Sequence, residues 1–389
     1  MKSLNVAMLG AGLMCKAHSE AYVVMPLAFG AEAVRPVRKV LCDVTIDLAK
    51  TAAERFGWEE YSDDWREVIA RPDIDMVDIV APNYLHRDMC IEAAHHGKMI
   101  YCEKPLGLNA EESLEIYREI KRCNVANAMA FNKRRWPAVV YAKQLIDDGL
   151  IGEPVAMHGA FMQSFALNKS LPLTWKFQKE KTGGGAIIDI GCHLIDLTRF
   201  LMGDFDEVCG MLRTNIKQRP LPAVGSSLWG ATFDENSPMG EVEVDDTAVF
   251  LGKFKNGAVG NFEVSRMASG MGDGMSFEIW GTAGAIRWNQ QASNELQISK
   301  ESDPADQHGF KVIECGGKHP YGSALWNVPF GVGFVDVKSL EVHDVLEAFA
   351  NGTEFHADFL DGLKCAQTVE AIIASSKDNQ WVKVSSETE

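Results

Sequence analysis

Val6-Ala7-Met8-Leu9-Gly10-Ala11-Gly12-Leu13-Met14-Cys15 reads as a short apolar strand, a glycine turn and the opening of a helix. In this arrangement the first glycine permits a tight turn and the second lets a pyrophosphate approach the helix N-terminus. The third serves helix–strand packing. Cys15 stands at that third position, where a small side chain is tolerated. A helix N-terminus binds phosphate through backbone N–H groups and its dipole, so no net positive charge is required. The stretch is a dinucleotide-binding fingerprint, and Gly10, Gly12, Leu13 and Met14 are its expected cofactor contacts.

Strand and helix patterns alternate outward from this turn. Leu13–Val24 reads as a helix, Val37–Cys42 as a strand, and Leu48–Phe56 as a helix stopped by Gly57. Ile74–Val80 is a strand, His86–His96 a helix closed by Gly97, and Met99–Cys102 a strand. Ala110–Arg122 is a helix entered through Asn109, and Val125–Phe131 is the last strand of the series. Repeated strand–helix units of this length imply a parallel sheet with helices on both faces. From Val155 the pattern becomes a succession of strands joined by short turns such as Asn256-Gly257, with helices returning at Leu340–Ala350 and Gly362–Ser375. The expected fold class is α/β. An N-terminal Rossmann domain, a doubly wound parallel sheet over residues 1–131, binds the dinucleotide. A C-terminal α+β domain over 132–389, with a large and mostly antiparallel open sheet, serves substrate binding and oligomerisation.

The formal net charge of −16 argues against nucleic acid and anionic membranes as partners, since both require a basic footprint. No apolar run approaches the ~20 residues that span a bilayer. Nine scattered cysteines without a Cys-x-x-Cys pair fit a reducing cytoplasm better than a disulfide framework or a structural zinc site. Cys90, His95, His96 and Cys102 raise the question of a metal, but their segment reads as a helix end running into a buried strand, so no metal is expected.

Three further features carry chemistry. Asp43 ends the second strand, where a carboxylate accepts hydrogen bonds from the adenosine ribose. No Arg or Lys immediately follows it, so NAD is favoured over NADP, and the Met25–Pro36 insertion accounts for its distance from the glycines. A surface strand-end Asp gives the same pattern. Glu103-Lys104-Pro105 lies at the end of a later strand, at the edge where open α/β sheets bind ligands. Pro105 restricts Lys104, and a cis bond between them fits the motif. A lysine held there can stabilise alkoxide charge, although a surface Glu–Lys pair also fits. Gly183-Gly184-Gly185-Ala186-Ile187-Ile188-Asp189-Ile190-Gly191-Cys192-His193 reads as a glycine turn entering a helix. Asp189 and His193 then share one face as an acid/base pair, or simply satisfy each other in a buried helix.

Gly10-x-Gly12, Ala81-Pro82-Asn83, Glu103-Lys104-Pro105 and Gly184-Gly185-x-x-x-Asp189-x-Gly191-x-His193-x-x-Asp196, in that order, resemble the Gfo/Idh/MocA family of sugar oxidoreductases. The likeness covers nearly the whole chain, including Asp245-Asp246-Thr247. Leu173–Lys179 and His319-Pro320-Tyr321-Gly322 are similar to its anhydrosugar-oxidising branch, while Lys133 replaces a Tyr expected there. The resemblance implies Lys104, Asp189 and His193 as the catalytic set. It implies Pro82, Asn83, His86, Glu103, Lys104 and Trp175 beside the cofactor, with His18 near its loops. Asn132, Arg134, Gln163 and Trp175 would join the catalytic set around the substrate. As a charge run, Lys133-Arg134-Arg135 also fits a solvated helix start, Trp175 a core aromatic, and His18 and His86 ordinary helix-end histidines.

The implied function is hydride transfer between NAD and a ring hydroxyl or ketone of a sugar, a levoglucosan-like anhydrosugar, a glycoside or an inositol. Trp175, Tyr321 and Trp326 are candidate faces for a pyranose ring. A redox-assisted glycosidase of the same fold and a non-catalytic NAD-binding sensor are the alternatives. The open second sheet leads to an expected homodimer or homotetramer.

Overall fold

Six strands and five helices alternate through the first third of the chain. They are β1 (Ser3–Leu9), α1 (Leu13–Phe29), β2 (Arg35–Cys42), α2 (Ile46–Phe56), β3 (Glu60–Ser62), α3 (Trp65–Ala70), β4 (Met76–Ile79), α4 (His86–His95), β5 (Met99–Cys102), α5 (Ala110–Cys123) and β6 (Asn127–Met129). They form one parallel sheet in the order β3-β2-β1-β4-β5-β6. That order reverses between β1 and β4, and ligands of such sheets bind outside the strand ends at the reversal. The computed structural model describes residues 2–30, 32–222, 237–325 and 331–388, so Trp326 lies outside the described residues. The chain splits into two compact units. One comprises Met1–Pro137, Cys315–Leu363 and Glu387–Glu389; the other comprises Ala138–Glu314 and Lys364–Ser386.

Gly10 sits at the reversal with φ +117°, and a Cβ there would lie 2.9 Å from the carbonyl carbon and oxygen of Val80. Only glycine fits so close a crossing of the two strand ends. Gly12 caps α1 with no side-chain hydrogen bond and no acidic residue in the first turn, which leaves the helix N-terminus open. Cys15 is fully buried, and burial pushes its thiol up to about 12. It fills the packing position that the third glycine otherwise occupies.

The first helix is longer than the sequence suggests, running to Phe29 with Pro26 inside it. Pro26 falls in the last turn, where the loss of one N–H does not stop the helix. Part of the expected insertion is thus helix, packed against the later helix α10 (Phe334–Asn351). The short β3 and α3 carry too little apolar pattern to be read from sequence.

The second unit is built on α6 (Pro137–Asp147), β7 (Pro154–Gln163), α7 (Lys179–Thr182), α8 (Ala186–Asp189), α9 (Gly191–Met202), β8 (Phe205–Arg213), β9 (Gln218–Pro220) and β10 (Met239–Glu241). These are followed by β11 (Thr247–Phe254), β12 (Val259–Ser265), β13 (Asp273–Gly281), β14 (Gly284–Asn289), β15 (Glu295–Lys300), β16 (Lys311–Glu314), α11 (Phe359–Asp378) and β17 (Val382–Lys383). Nine strands form one sheet in the order β16-β15-β14-β13-β7-β12-β11-β8-β17, in which only β7 and β12 run parallel. Along β11, Ala248, Phe250 and Phe254 are buried while Val249, Leu251 and Lys253 are exposed, the period of a half-covered strand. Phe205, Phe250, Phe254 and Phe262 stack on the covered face. The other face exposes Met211, Val249, Leu251, Val259 and Trp280.

The glycine turn before α8 is held by Asp245. Its carboxylate accepts the N–H groups of Gly185 at 2.8 Å and Ile187 at 2.9 Å, and its backbone carbonyl accepts that of Ala186 at 2.9 Å. A Cβ on Gly185 would lie 1.8 Å from that carbonyl oxygen. Gly185→Ala is therefore expected to destabilise the chain by more than ~3 kcal/mol in urea unfolding; an unchanged midpoint would contradict this packing. The buried, weakly acidic Cys15 thiol should likewise resist iodoacetamide in the folded chain at pH 8, read by peptide mass spectrometry. Rapid modification of Cys15 without unfolding would contradict its placement.

Candidate active site

In the first unit the expected cofactor residues gather at the carboxyl ends of β1, β2, β4 and β5. Asp43 directly follows β2, and its Oδ2 accepts the Ala11 N–H at 2.6 Å while its Oδ1 accepts that of Val44 at 2.7 Å. The carboxylate thereby ties the glycine turn to the second strand. Leu13 is exposed at the start of α1, and Met14 is half-buried beside it. Pro82 precedes a 3-10 turn over Asn83–Leu85 in which Asn83 is buried. His86 is fully buried, its two ring nitrogens 2.7 Å from the Pro105 carbonyl and 2.9 Å from that of Ala81. It fastens the loop after β4 to the loop after β5, so it is not an ordinary helix-end histidine. Burial lowers its pKa, although both carbonyls favour the proton.

Lys104 lies two residues beyond the end of β5, and the Lys104–Pro105 bond is cis. The Lys104 N–H donates to Oε2 of Glu103 at 3.2 Å. Oε1 of Glu103 faces His18 Nε2 at 3.2 Å and Lys338 Nζ at 3.3 Å. His18 Nδ1 faces Asp78 at 2.9 Å, Tyr22 donates to Asp78 at 2.7 Å, and Lys338 donates to Glu341 at 2.7 Å. Tyr101 also donates to Glu341, at 2.6 Å, and stacks on His18 with ring centroids 5.0 Å apart. Carboxylates at both ring nitrogens favour the protonated form of His18. Burial opposes the charge on Glu103, yet Lys338, His18 and Lys104 hold its carboxyl well below the usual range. Burial also opposes charge on His18 and Lys338, and their carboxylate partners raise both pKa values nonetheless. Of this group sequence reasoning found Glu103 and His18; the remaining partners are remote in the chain and carry no local signal.

Lys133-Arg134-Arg135 is not a solvated run. Asn132–Arg135 forms a 3-10 turn with Asn132, Lys133 and Arg134 buried, because acidic residues from late in the chain meet the cations. Arg134 pairs with Asp361 at 3.1 Å and Arg135 with Asp344 at 3.5 Å. Tyr321 donates to the same Asp344 at 2.5 Å.

In the second unit the expected single helix carrying Asp189 and His193 is two helices. α8 ends at Asp189 and α9 starts at Gly191, with Ile190 at the junction. Gly191, a poor helix former, packs its bare α-carbon toward Ile187 and lets the axis change there. Oδ1 of Asp189 accepts from Lys176 at 3.0 Å, and its Oδ2 lies 3.8 Å from a guanidinium nitrogen of fully buried Arg266. Arg266 also donates to the Asp245 carbonyl at 2.9 Å and faces the Phe177 ring. The His193 ring meets Phe161 edge to face at 6.1 Å. Trp175 is half-buried in the 3-10 turn Trp175–Phe177, with Lys176 Nζ 5.6 Å from its ring centroid. Gln163 ends β7 and donates to Asp273 at 2.7 Å. Sequence reasoning missed Lys176 and Arg266 as partners of Asp189; Lys176 stood inside a quoted motif, whereas Arg266 had no signal.

Cys90 and Cys102 are buried, and His95 and His96 are exposed. Among the described residues His95 instead meets Glu119 and Cys123, their ligand atoms within 4.8 Å of one another. The Arg122 guanidinium donates to Glu119 at 2.6 Å and lies 3.1 Å from His95 Nε2, so a cation already serves the group.

Residues 4–131 match the model of an oxidoreductase family with an NAD-binding Rossmann fold, and residues 139–287 match a GFO/IDH/MocA C-terminal domain. Levoglucosan dehydrogenase of Pseudarthrobacter phenanthrenivorans is 42% identical over 385 residues, 99% of each chain. The NAD(+)-dependent scyllo-inositol 2-dehydrogenase of Bacillus subtilis is 33% identical over 64% of this chain and 66% of its own length. A solved levoglucosan dehydrogenase in complex with NADH and levoglucosan superposes with a TM-score of 0.93 at 41% identity, covering 99% of this chain and 100% of that one. The Rossmann order of the first unit, the mixed sheet of the second and these full-length likenesses agree: the chain belongs to the Gfo/Idh/MocA family of oxidoreductases.

Proposed function

We propose that this chain oxidises a ring hydroxyl of a levoglucosan-like anhydrosugar or a related pyranose, passing the hydride to NAD. It is an NAD-dependent dehydrogenase acting on sugar CH–OH groups. The observation that carries the reading is the Glu103-Lys104-Pro105 turn, fixed by a buried carboxylate at the end of β5, in a chain alike over its full length to a sugar dehydrogenase. The relatives named for inositol dehydrogenation support the wider substrate class of polyols.

NAD, when bound, supplies the hydride acceptor. The open N-terminus of α1, Gly10 and Gly12 would hold its pyrophosphate, and Asp43 its adenosine ribose. Pro82, Asn83, His86 and Glu103 would shape the loops that hold the nicotinamide half, and Trp175 would supply an aromatic face to it. In this division of labour the Rossmann domain presents the cofactor and the second domain the substrate.

An unassisted sugar hydroxyl is far too weak an acid to lose its proton near neutral pH. His193 takes that proton as general base, and the Lys104 ammonium stabilises the alkoxide-like oxygen. Asp189, with Lys176 and Arg266 at its two oxygens, acts as an anionic acceptor that orients a substrate hydroxyl. Asn132, Arg134 and Gln163 complete the polar lining.

Free thiols at all nine cysteines suit a reducing cytoplasm, where we place the protein, and no described helix is long and apolar enough to cross a membrane. The exposed Met211, Val249, Leu251, Val259 and Trp280 on one sheet face support a homodimer or homotetramer.

Anhydrosugars, pyranoses, glycosides and inositols offered with NAD⁺ should include at least one that yields NADH, and His193→Ala should lower that turnover by roughly 10²–10⁴-fold with NAD binding kept. Full turnover of His193→Ala would remove the base assignment. Aglycone release without NADH would favour the glycosidase reading. In solution, light scattering should return two or four times the chain mass; a monomer would contradict the oligomer.

A further inference from the structure

Two buried charges from α10 stand behind the lysine of the Glu103-Lys104-Pro105 turn, and nothing in the hydride-transfer scheme uses them. Lys338 and Glu341 lie one helical turn apart, each about 1% exposed. Lys338 reaches Glu103 and the Tyr101 hydroxyl as well as Glu341. The charged and titratable groups of this cluster come from every element packed there: His18 and Tyr22 of α1, Asp78 of β4, Tyr101 and Glu103 of β5 and its end, and Lys338 and Glu341 of α10. Three carboxylates, Asp78, Glu103 and Glu341, thus meet His18 and Lys338 beside the Lys104 backbone. The charge of Lys104 in turn acts on Glu103 and on His86.

We propose that Lys338 and Glu341 are positioning residues for Lys104. Through Glu103 they hold the backbone that carries the lysine, and their charges act on its ammonium. This rests on the reading of Lys104 as the group that stabilises the alkoxide. Charges in a dry interior act on a neighbour over several ångströms with little screening, so changing one by a unit moves the proton affinity of Lys104 in a direction fixed by its sign. Glu341→Gln removes a negative charge with almost no change of shape. Lys338→Met removes a positive one. The first must lower the proton affinity of Lys104 and the second must raise it.

The pH profile of Lys104 acetylation by acetic anhydride, followed by peptide mass spectrometry, reads this directly in the full chain. Relative to the native chain, the midpoint should fall by about 0.5 unit or more in Glu341→Gln and rise in Lys338→Met. The alkaline decline of kcat should move with it, while KM for NAD⁺ stays within about threefold. A merely structural role would weaken both variants without opposite shifts. Midpoints that stay in place, or that move the same way in both variants, would overturn the proposal. If Lys338→Met does not fold, Glu341→Gln alone decides: a fall supports the proposal and an unmoved midpoint ends it. Lys104→Met separates the two readings, because full turnover there would remove the role of Lys104 itself whatever the acetylation profiles show.

Discussion

The Glu103 carboxylate is the constraint on which the cofactor half of this molecule depends. One oxygen takes the Lys104 N–H and the other faces His18 and Lys338, so a single buried group joins α1, the end of β5 and α10. A buried polar network whose members are all satisfied is stiff, because any lost partner leaves a charge stranded in low dielectric. Breaking one such pair typically costs ~3–5 kcal/mol. That cost, set against the few kcal/mol by which a domain is stable, explains how the Lys104 backbone can be held in one position. His86 adds the second fastening, between the two loops on either side of that lysine.

The second half uses charge in a different way. Asp189 sits at the end of a four-residue helix whose start is capped by another carboxylate, Asp245. The turn is glycine because no Cβ fits against the Asp245 carbonyl, and two cations, Lys176 and Arg266, face the Asp189 carboxylate. In the proposed reaction acid/base work falls to His193, whose ring packs against Phe161. The broken helix gives each residue its own support, where one continuous helix would have set both on a shared face.

Much of this was legible in the sequence, and the rest was not for identifiable reasons. Gly10-x-Gly12 and Asp43 were readable because a tight turn, a close backbone approach and a strand end each demand a residue type at a fixed spacing. The strands of the second sheet, such as Thr247–Phe254, were readable from period-2 alternation. The buried charges were not. Lys338 lies more than two hundred residues from Glu103, Arg266 follows an ordinary alternating strand, and a charged residue gives no sign of which distant partner will neutralise it. The solvated-run alternative for Lys133-Arg134-Arg135 fails for the same reason, since Asp361 and Asp344, which pair with Arg134 and Arg135, come from the far end of the chain. The break at Ile190 was hidden because both flanking segments keep a helical pattern. Order along the chain therefore revealed the motifs, while the partners of their charged residues depended on tertiary pairing.

In the proposed reaction hydrogen passes straight from a sugar carbon to the nicotinamide, with the protein supplying only placement and charge. An accepted sugar deuterated at each ring carbon in turn, followed by mass spectrometry of the NADH formed, tests this most directly. One labelled position should deliver its deuterium to the nicotinamide C4 at one atom per NADH, with none washed out to water. NADH free of deuterium from every labelled position, or label released to solvent, would contradict it.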